Sequence, residues 1–142
     1  MGEFIIMLDI DFQMPRKIEI GFSKIKEIVK IIKEAELQRL LIVVDSNLKN
    51  AGVIDCTIKD LKRENLYFSV FDNIKNEPTI NEIDKAIHDL NVVSNFDGVV
   101  GIGGGSTIDT AKLLAVSGSI KGSIRDYIGV NLIKERSIST IL

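Results

Sequence analysis

The sequence predicts an α/β fold, with a parallel sheet covered by helices on both faces. Short apolar segments rich in β-branched residues alternate with amphipathic helical segments along the 142 residues. Residues 40–44, Leu-Leu-Ile-Val-Val, are apolar at every position, which is typical of a strand buried on both faces. A glycine-rich turn at residues 101–105 joins another apolar segment to a helical one. Because ligands of such sheets bind at the carboxyl ends of the strands, a site is expected at that edge.

The first half of the chain is predicted to form strands and helices in alternation. Residues 17–21, after Pro15, predict a short strand. One face of the following helix, which ends near Glu36, carries Ile25, Ile28, Val29, Ile32 and Ala35. The strand at 40–44 ends at Asp45-Ser46-Asn47, a typical turn and cap sequence. A helix over 54–62 and a strand over 66–71 complete this half.

The second half continues the alternation. A loop with Asn76-Glu77-Pro78 precedes a helix whose apolar face carries Ile80, Ile83, Ile87 and Leu90. Residues 98–100 predict the strand before the glycine turn, and a further helix follows that turn. Residues 137–142 predict a last apolar strand that ends without a turn or polar tail, so we expect the fold to continue beyond Leu142.

Composition limits the classes of function. Eighteen basic and twenty acidic residues give a net charge of -2, without the basic stripe typical of nucleic-acid binding. The apolar patch at residues 1–8 is too short to span a membrane. Cys56 is the only cysteine and His88 the only histidine, which excludes an internal disulfide and a multi-histidine metal site within these 142 residues. We therefore predict one domain in the cytoplasm, with no metal site and no catalytic residue.

The glycine turn is the strongest candidate for a binding site. Its glycines permit positive φ and carry no Cβ, and the first amides of the next helix lie unpaired at the positive end of the helix dipole. An anion such as a phosphate is the natural ligand. A purely structural interpretation stays open, because Ser106 and Asp109 have the spacing of a capping box. Neither a P-loop nor the complete Gly-x-Gly-x-x-Gly fingerprint is present.

Four segments together resemble one enzyme family. Residues 103–112, Gly-Gly-Gly-Ser-Thr-Ile-Asp-Thr-Ala-Lys, resemble the glycine motif of the iron-containing, or group III, alcohol dehydrogenases. Residues 15–22 are similar to that family's opening strand, and residues 43–45 to its second strand and acidic turn. Glu77-Pro78-Thr79 is similar to its Asn-Pro-Thr loop, with Glu77 where the family often has Asn. The resemblance covers nearly the whole chain from about Phe12.

The resemblance implies a Rossmann-like dinucleotide-binding domain over residues 1–142, of the kind that begins dehydroquinate synthases. It places Gly104, Gly105 and Ser106 against the cofactor pyrophosphate, with Asp109 nearby, and Gly103 is predicted to be a further cofactor-binding residue. A carboxylate repels phosphate, so we expect Asp109 to cap the helix or to accept a hydrogen bond from a ribose or the glycine backbone. Intact members of the family add a helical domain that holds Fe2+ or Zn2+, which these 142 residues do not include.

Asp45 is the candidate that decides between the two nicotinamide cofactors. A carboxylate at the end of a strand accepts hydrogen bonds from an adenosine ribose and repels the 2′-phosphate of NADP, so NAD is expected. The alternative is that Asp45 only begins the turn with Ser46 and Asn47.

The predicted function is therefore the NAD-binding part of an alcohol dehydrogenase that moves a hydride between an alcohol or aldehyde and the nicotinamide, and that is inactive as this chain alone. The cofactor domain of a glycerol, polyol or hydroxy-acid dehydrogenase and a stand-alone nucleotide-binding module remain alternatives. The expected partners are a small-molecule alcohol or aldehyde and further copies of the chain.

Overall fold

The computed structural model describes Ile20 and residues 23–74, 77–127 and 138–142. The predicted opening strand at 17–21, apart from Ile20, lies outside the described residues, as do Asn76 and Ser137.

A parallel sheet of four strands lies at the centre of the described residues. The strands are β1 (Arg39–Val44), β2 (Tyr67–Phe71), β3 (Gly98–Ile102) and β4 (Ser139–Ile141). They lie in the order β2-β1-β3-β4, and every neighbouring pair is parallel. Val43 is opposite Phe71 on one side and Gly101 on the other, so the carboxyl ends of these strands share one edge.

Helices connect the strands. They are α1 (Ile28–Glu34), α2 (Ser46–Asn50), α3 (Asp55–Arg63), α4 (Ile80–Leu90), α5 (Val92–Asn95) and α6 (Gly105–Ala115). Short 3-10 turns cover Lys24–Glu27, Ser117–Ser119 and Ile124–Tyr127. In the described part of the chain, no helix is long and apolar enough to cross a membrane.

The sheet is covered on both faces, as the sequence predicts. Leu40, Ile42 and Val44 pack on one face against residues of α1 and α3. Leu41 and Val43 pack on the other face against residues of α4, α5 and α6. All five side chains are at most 1% exposed, which explains why residues 40–44 do not alternate between apolar and polar types. The predicted Rossmann-like fold class is confirmed.

Local details differ from the predictions at two places. Ala35 was expected on the buried face of the first helix, but it is exposed and caps the carboxyl end of α1. The cap predicted at residues 45–47 is present, with Asp45 as N-cap, but it opens α2, a short helix before α3 that the sequence did not predict. In both cases one or two residues at a helix end decide the outcome, and apolar periodicity does not resolve helix ends.

Candidate functional site

Three turns follow one another along the carboxyl edge of the sheet. Residues 72–74 follow β2, Asp45 follows β1, and Gly103 follows β3. After β1 the chain forms β2 on one side of β1, and after β2 it crosses back to form β3 on the other side of β1. The direction of winding therefore changes between β1 and β3. The Asp45 amide lies 3.4 Å from the carbonyl oxygen of Ile102, which joins the two turns there. Such a switch point is where open α/β sheets bind their ligands.

Gly103 is a glycine for reasons of packing. A Cβ atom built on it would lie 2.5 Å from Oγ1 of Thr107, a residue of α6 that is 2% exposed. Gly101, within β3, is similarly constrained, since its Cβ would lie 2.9 Å from the Cβ of Ala111. These two glycines let α6 pack closely on the end of β3.

Gly104 and Gly105 are not required by packing or by backbone conformation. Among the residues that the structure describes, a Cβ on either glycine would meet no atom within 4 Å. Gly104 has φ -82°, and the glycines with positive φ in the described residues are Gly52 and Gly122. The freedom to take positive φ that these glycines have is therefore not used in this turn. What these two glycines supply is bare, exposed backbone that another molecule can approach closely.

The first turn of α6 leaves its amides available. The helix begins at Gly105 with Gly104 as N-cap, and in the described part of the chain no side chain caps it. Ser106 is the second residue of the helix, and its carbonyl accepts a hydrogen bond of 2.7 Å from Oγ1 of Thr110. The capping box predicted from Ser106 and Asp109 is thus wrong, because the helix starts one residue before Ser106. Free amides at the positive end of an eleven-residue helix form an anion-binding geometry.

Asp109 lies one turn further along α6. Its side chain is 71% exposed, and its Oδ1 is 3.4 Å from Nζ of Lys112. The expected role of Asp109 as a helix cap is therefore wrong. Its expected contact with a ribose stays a prediction.

Asp45 caps α2. Its Oδ1 accepts hydrogen bonds from the amides of Asn47 at 2.7 Å and Leu48 at 3.2 Å, which confirms the structural interpretation of this residue. Oδ2 takes no part in the cap. Asp45 is half-buried beside the switch point. Its side chain can therefore cap α2 through Oδ1 and bind a ligand through Oδ2.

Two contacts tie α2 to the turn after β2. Ser46 donates a hydrogen bond from Oγ to the carbonyl of Ile74 at 3.3 Å. Lys49 pairs with Asp72 through Nζ and Oδ2. The three turns therefore form one continuous surface.

The sequence analysis missed two polar contacts of α4. Thr79 and Glu82 form a reciprocal capping box, in which the Thr79 amide donates to Oε2 of Glu82 at 2.7 Å. This backbone hydrogen bond lowers the pKa of Glu82, and the Thr-x-x-Glu spacing is the signal that reveals it. Asp84 accepts hydrogen bonds from Oγ of Ser123 at 2.7 Å and the amide of Ile124 at 2.8 Å. Its partners are 39 and 40 positions away, so no local pattern reveals the contact.

The described residues contain no group of three or more His, Cys, Asp or Glu side chains able to hold a metal ion. The side chain of His88 is 89% exposed beside Asp89. Two grooves, of about 510 Å³ between α1 and α3 and about 260 Å³ beside α4, include neither the glycine turn nor Asp45. The candidate site is thus an open edge of the sheet.

The comparison with known proteins decides the family. Residues 15–142 match the family described as iron-containing alcohol dehydrogenase. The chain belongs to this family. The matched segment is continuous, and the glycine turn, Asp45 and Thr79 lie within it.

Individual relatives agree with this assignment. The choline dehydrogenase of Bacillus subtilis is 30% identical over 116 residues, which are 82% of this chain and 29% of the relative. The NAD-dependent methanol dehydrogenase of Bacillus methanolicus is 28% identical over 92% of this chain and 34% of its own length. The crystal structure of NADH-dependent butanol dehydrogenase A from Thermotoga maritima superposes with a TM-score of 0.79 at 28% identity, covering 94% of this chain and 34% of that one. The chain thus spans about a third of the length of these relatives.

Proposed function

We propose that this chain is the NAD-binding portion of an iron-containing alcohol dehydrogenase that transfers a hydride between a small alcohol or aldehyde and the nicotinamide. The observation that carries the proposal is the pair Gly104 and Gly105 at the uncapped start of α6, where an added Cβ would meet no atom of the described residues within 4 Å. A pyrophosphate needs such a surface, since its oxygens accept hydrogen bonds from bare amides. The relatives named for NAD and NADH dependence support the choice of cofactor.

The proposed roles follow from position along the edge. The amides of Gly104, Gly105 and Ser106 bind the pyrophosphate, while Gly103 brings α6 close to β3. Oδ2 of Asp45 accepts a ribose hydroxyl, and its charge repels a 2′-phosphate. Asp109 is proposed to accept a hydrogen bond from a ribose, through the carboxylate whose Oδ1 lies 3.4 Å from Nζ of Lys112.

The metal chemistry belongs to residues outside this chain. In the proposed whole enzyme, Fe2+ or Zn2+ polarises the alcohol oxygen as a Lewis acid. The described residues of this chain provide no ligand set for such an ion. The chain by itself is therefore proposed to bind the cofactor without catalysing its reduction.

A titration with NADH, NADPH and ATP tests the proposal. The sequence contains no Trp, so the nicotinamide fluorescence is observed without interference from that residue type. We expect saturable binding of NADH, weaker binding of NADPH, and little competition by ATP. Binding of ATP in preference to NADH would favour a stand-alone nucleotide-binding module, and the absence of binding to all three would contradict the proposal.

A further inference from the structure

The short helix α2 carries a second charged group on the side of Asp45. Lys49 follows Asp45 by four residues, and its amide donates to the Asp45 carbonyl at 3.0 Å, which completes one helical turn. Side chains four positions apart lie on the same side of a helix. The backbone of Lys49 thus lies one helical turn after that of Asp45, the residue that caps α2.

The turn after β2 holds this ammonium group. Nζ of Lys49 pairs with Oδ2 of Asp72, and both side chains are partly exposed, at 43% and 39%. Asp72 directly follows Phe71, which is opposite Val43 in the sheet, so Asp72 and Asp45 lie at the ends of adjacent strands. The hydrogen bond from Ser46 to Ile74 fixes the same turn against α2.

These positions define a charge pattern beside the proposed ribose. Across the edge lie the amides of α6, then Asp45, then the Lys49–Asp72 pair. For a dinucleotide with its pyrophosphate on α6 and its ribose at Asp45, that pair is the next charged group along the edge. A 2′-phosphate would bring a charge of about -1.5 to -2 to a place where two carboxylates flank one engaged ammonium group.

We propose that the Lys49–Asp72 ion pair is a specificity-determining element that favours NAD over NADP. Asp72 keeps Lys49 from contacting a phosphate on the ribose and adds its own negative charge to that of Asp45. The inference rests on the proposed function, because it requires that a dinucleotide binds at this edge.

The substitution Asp72→Asn tests the role of the pair. It removes one carboxylate and frees Lys49, whose ammonium group then attracts a 2′-phosphate. We expect the ratio of the NADPH and NADH dissociation constants to fall by about threefold to tenfold, as for a new charge contact at a partly exposed site. This change should shrink as salt is raised from 0.05 to 0.5 M, since exposed charges are screened.

Two further variants test whether the freed Lys49 causes the change in the ratio of the dissociation constants. In Asp72→Asn with Lys49→Met, the gain in NADPH binding should be largely lost, because the freed cation is absent. Glu64→Gln is the matched control, since Glu64 pairs with Lys33 where α3 ends, at the opposite edge of the sheet. It removes the same charge from another ion pair and should leave the ratio unchanged.

The outcomes distinguish this inference from the proposed function. Saturable NADH binding to the unsubstituted chain with a ratio that Asp72→Asn does not change would overturn the inference and leave the proposed function standing. An equal change with Glu64→Gln would also overturn it, since net charge alone would then explain the effect. Absence of NADH binding to the unsubstituted chain would overturn both.

Discussion

At the scale of single residues, adjacent glycines in one turn have different tasks. Gly103 has no room for a Cβ because Thr107 lies against it, whereas Gly104 and Gly105 have open space around them. The proposed pyrophosphate contact would account for glycines at an uncapped helix start that packing does not require. This division gives a substitution test that separates folding from binding.

Gly105→Ala should preserve the fold and weaken the cofactor site. Gly105 is the first residue of α6, so alanine is expected to raise the free energy of unfolding by up to about 1 kcal/mol. The added methyl group occupies the space proposed for the pyrophosphate, and NADH affinity should fall at least about tenfold, which is about 1.4 kcal/mol. Urea unfolding and NADH titration of the same variant measure both effects. Unchanged NADH affinity would contradict the proposed contact.

Gly103→Ala, in contrast, should destabilise the fold. Its Cβ would overlap Thr107, so we expect a loss of about 1–3 kcal/mol in the free energy of unfolding, as for other overpacked sites. Urea unfolding of Gly103→Ala and of Gly105→Ala compares the free energies of unfolding of the two variants. Equal stability of the two variants would mean that α6 moves freely relative to β3, contrary to the packing described above.

The role of Asp45 as a helix cap and its proposed role in cofactor preference can be tested separately. Asn is as good an N-cap as Asp, so Asp45→Asn should keep the stability of α2 while removing the charge that repels a 2′-phosphate. We expect the preference for NADH over NADPH to decrease. Asp45→Ala is the control for the cap and should cost about 1 kcal/mol of stability. If Asp45→Asn leaves the cofactor preference unchanged, Asp45 serves only as a cap.

At the scale of elements, the structure explains which features the sequence reveals. Residues 40–44 predict β1 because burial on both faces requires apolar residues throughout. The predicted order of strand, glycine turn and helix is confirmed, whereas the alternative capping box of Ser106 and Asp109 is wrong because Gly104 has the N-cap position. The bond from Asp84 to Ser123 joins residues far apart in sequence, so it depends on the tertiary fold. Sequence thus locates the glycine turn, whereas only the structure shows which of its glycines packing requires.

The contact between α4 and the turn Ile124–Tyr127 should depend on pH. Hydrogen bonds from the amide of Ile124 and the hydroxyl of Ser123 lower the pKa of Asp84 from its ordinary value. A carboxyl group with a lowered pKa in the folded state stabilises the fold above its unfolded pKa, and this contribution is lost as pH falls through the folded value. We expect the loss to occur below about pH 4.

Asp84→Asn checks this prediction. An amide does not titrate, so the free energy of unfolding of the variant should depend less on pH between about 2 and 5 than that of the parent chain. Urea unfolding at a series of pH values measures the difference. Parallel curves for the two proteins would show that Asp84 titrates with the same pKa in the folded and unfolded states.

At the scale of the whole molecule, we expect the outer strands of the described sheet to favour association. Among the described residues, β2 and β4 are the outer strands, and Tyr67 and Leu142 are 58% and 54% exposed. Uncovered strand edges and apolar side chains favour self-association. Light scattering of the isolated chain should give a mass that rises with concentration, and a constant monomer mass would contradict this. The predicted cytoplasmic location remains a prediction.

The central claim is that a dinucleotide binds across the carboxyl edge of the sheet, with its pyrophosphate at the start of α6. Backbone amide NMR shifts recorded during addition of NAD test it most directly, because each non-proline residue reports separately. The account predicts the largest saturable shifts at Gly104, Gly105 and Ser106, with smaller ones at Asp45. Unchanged shifts at these residues, or larger shifts in the charged groove between α1 and α3, would contradict the account.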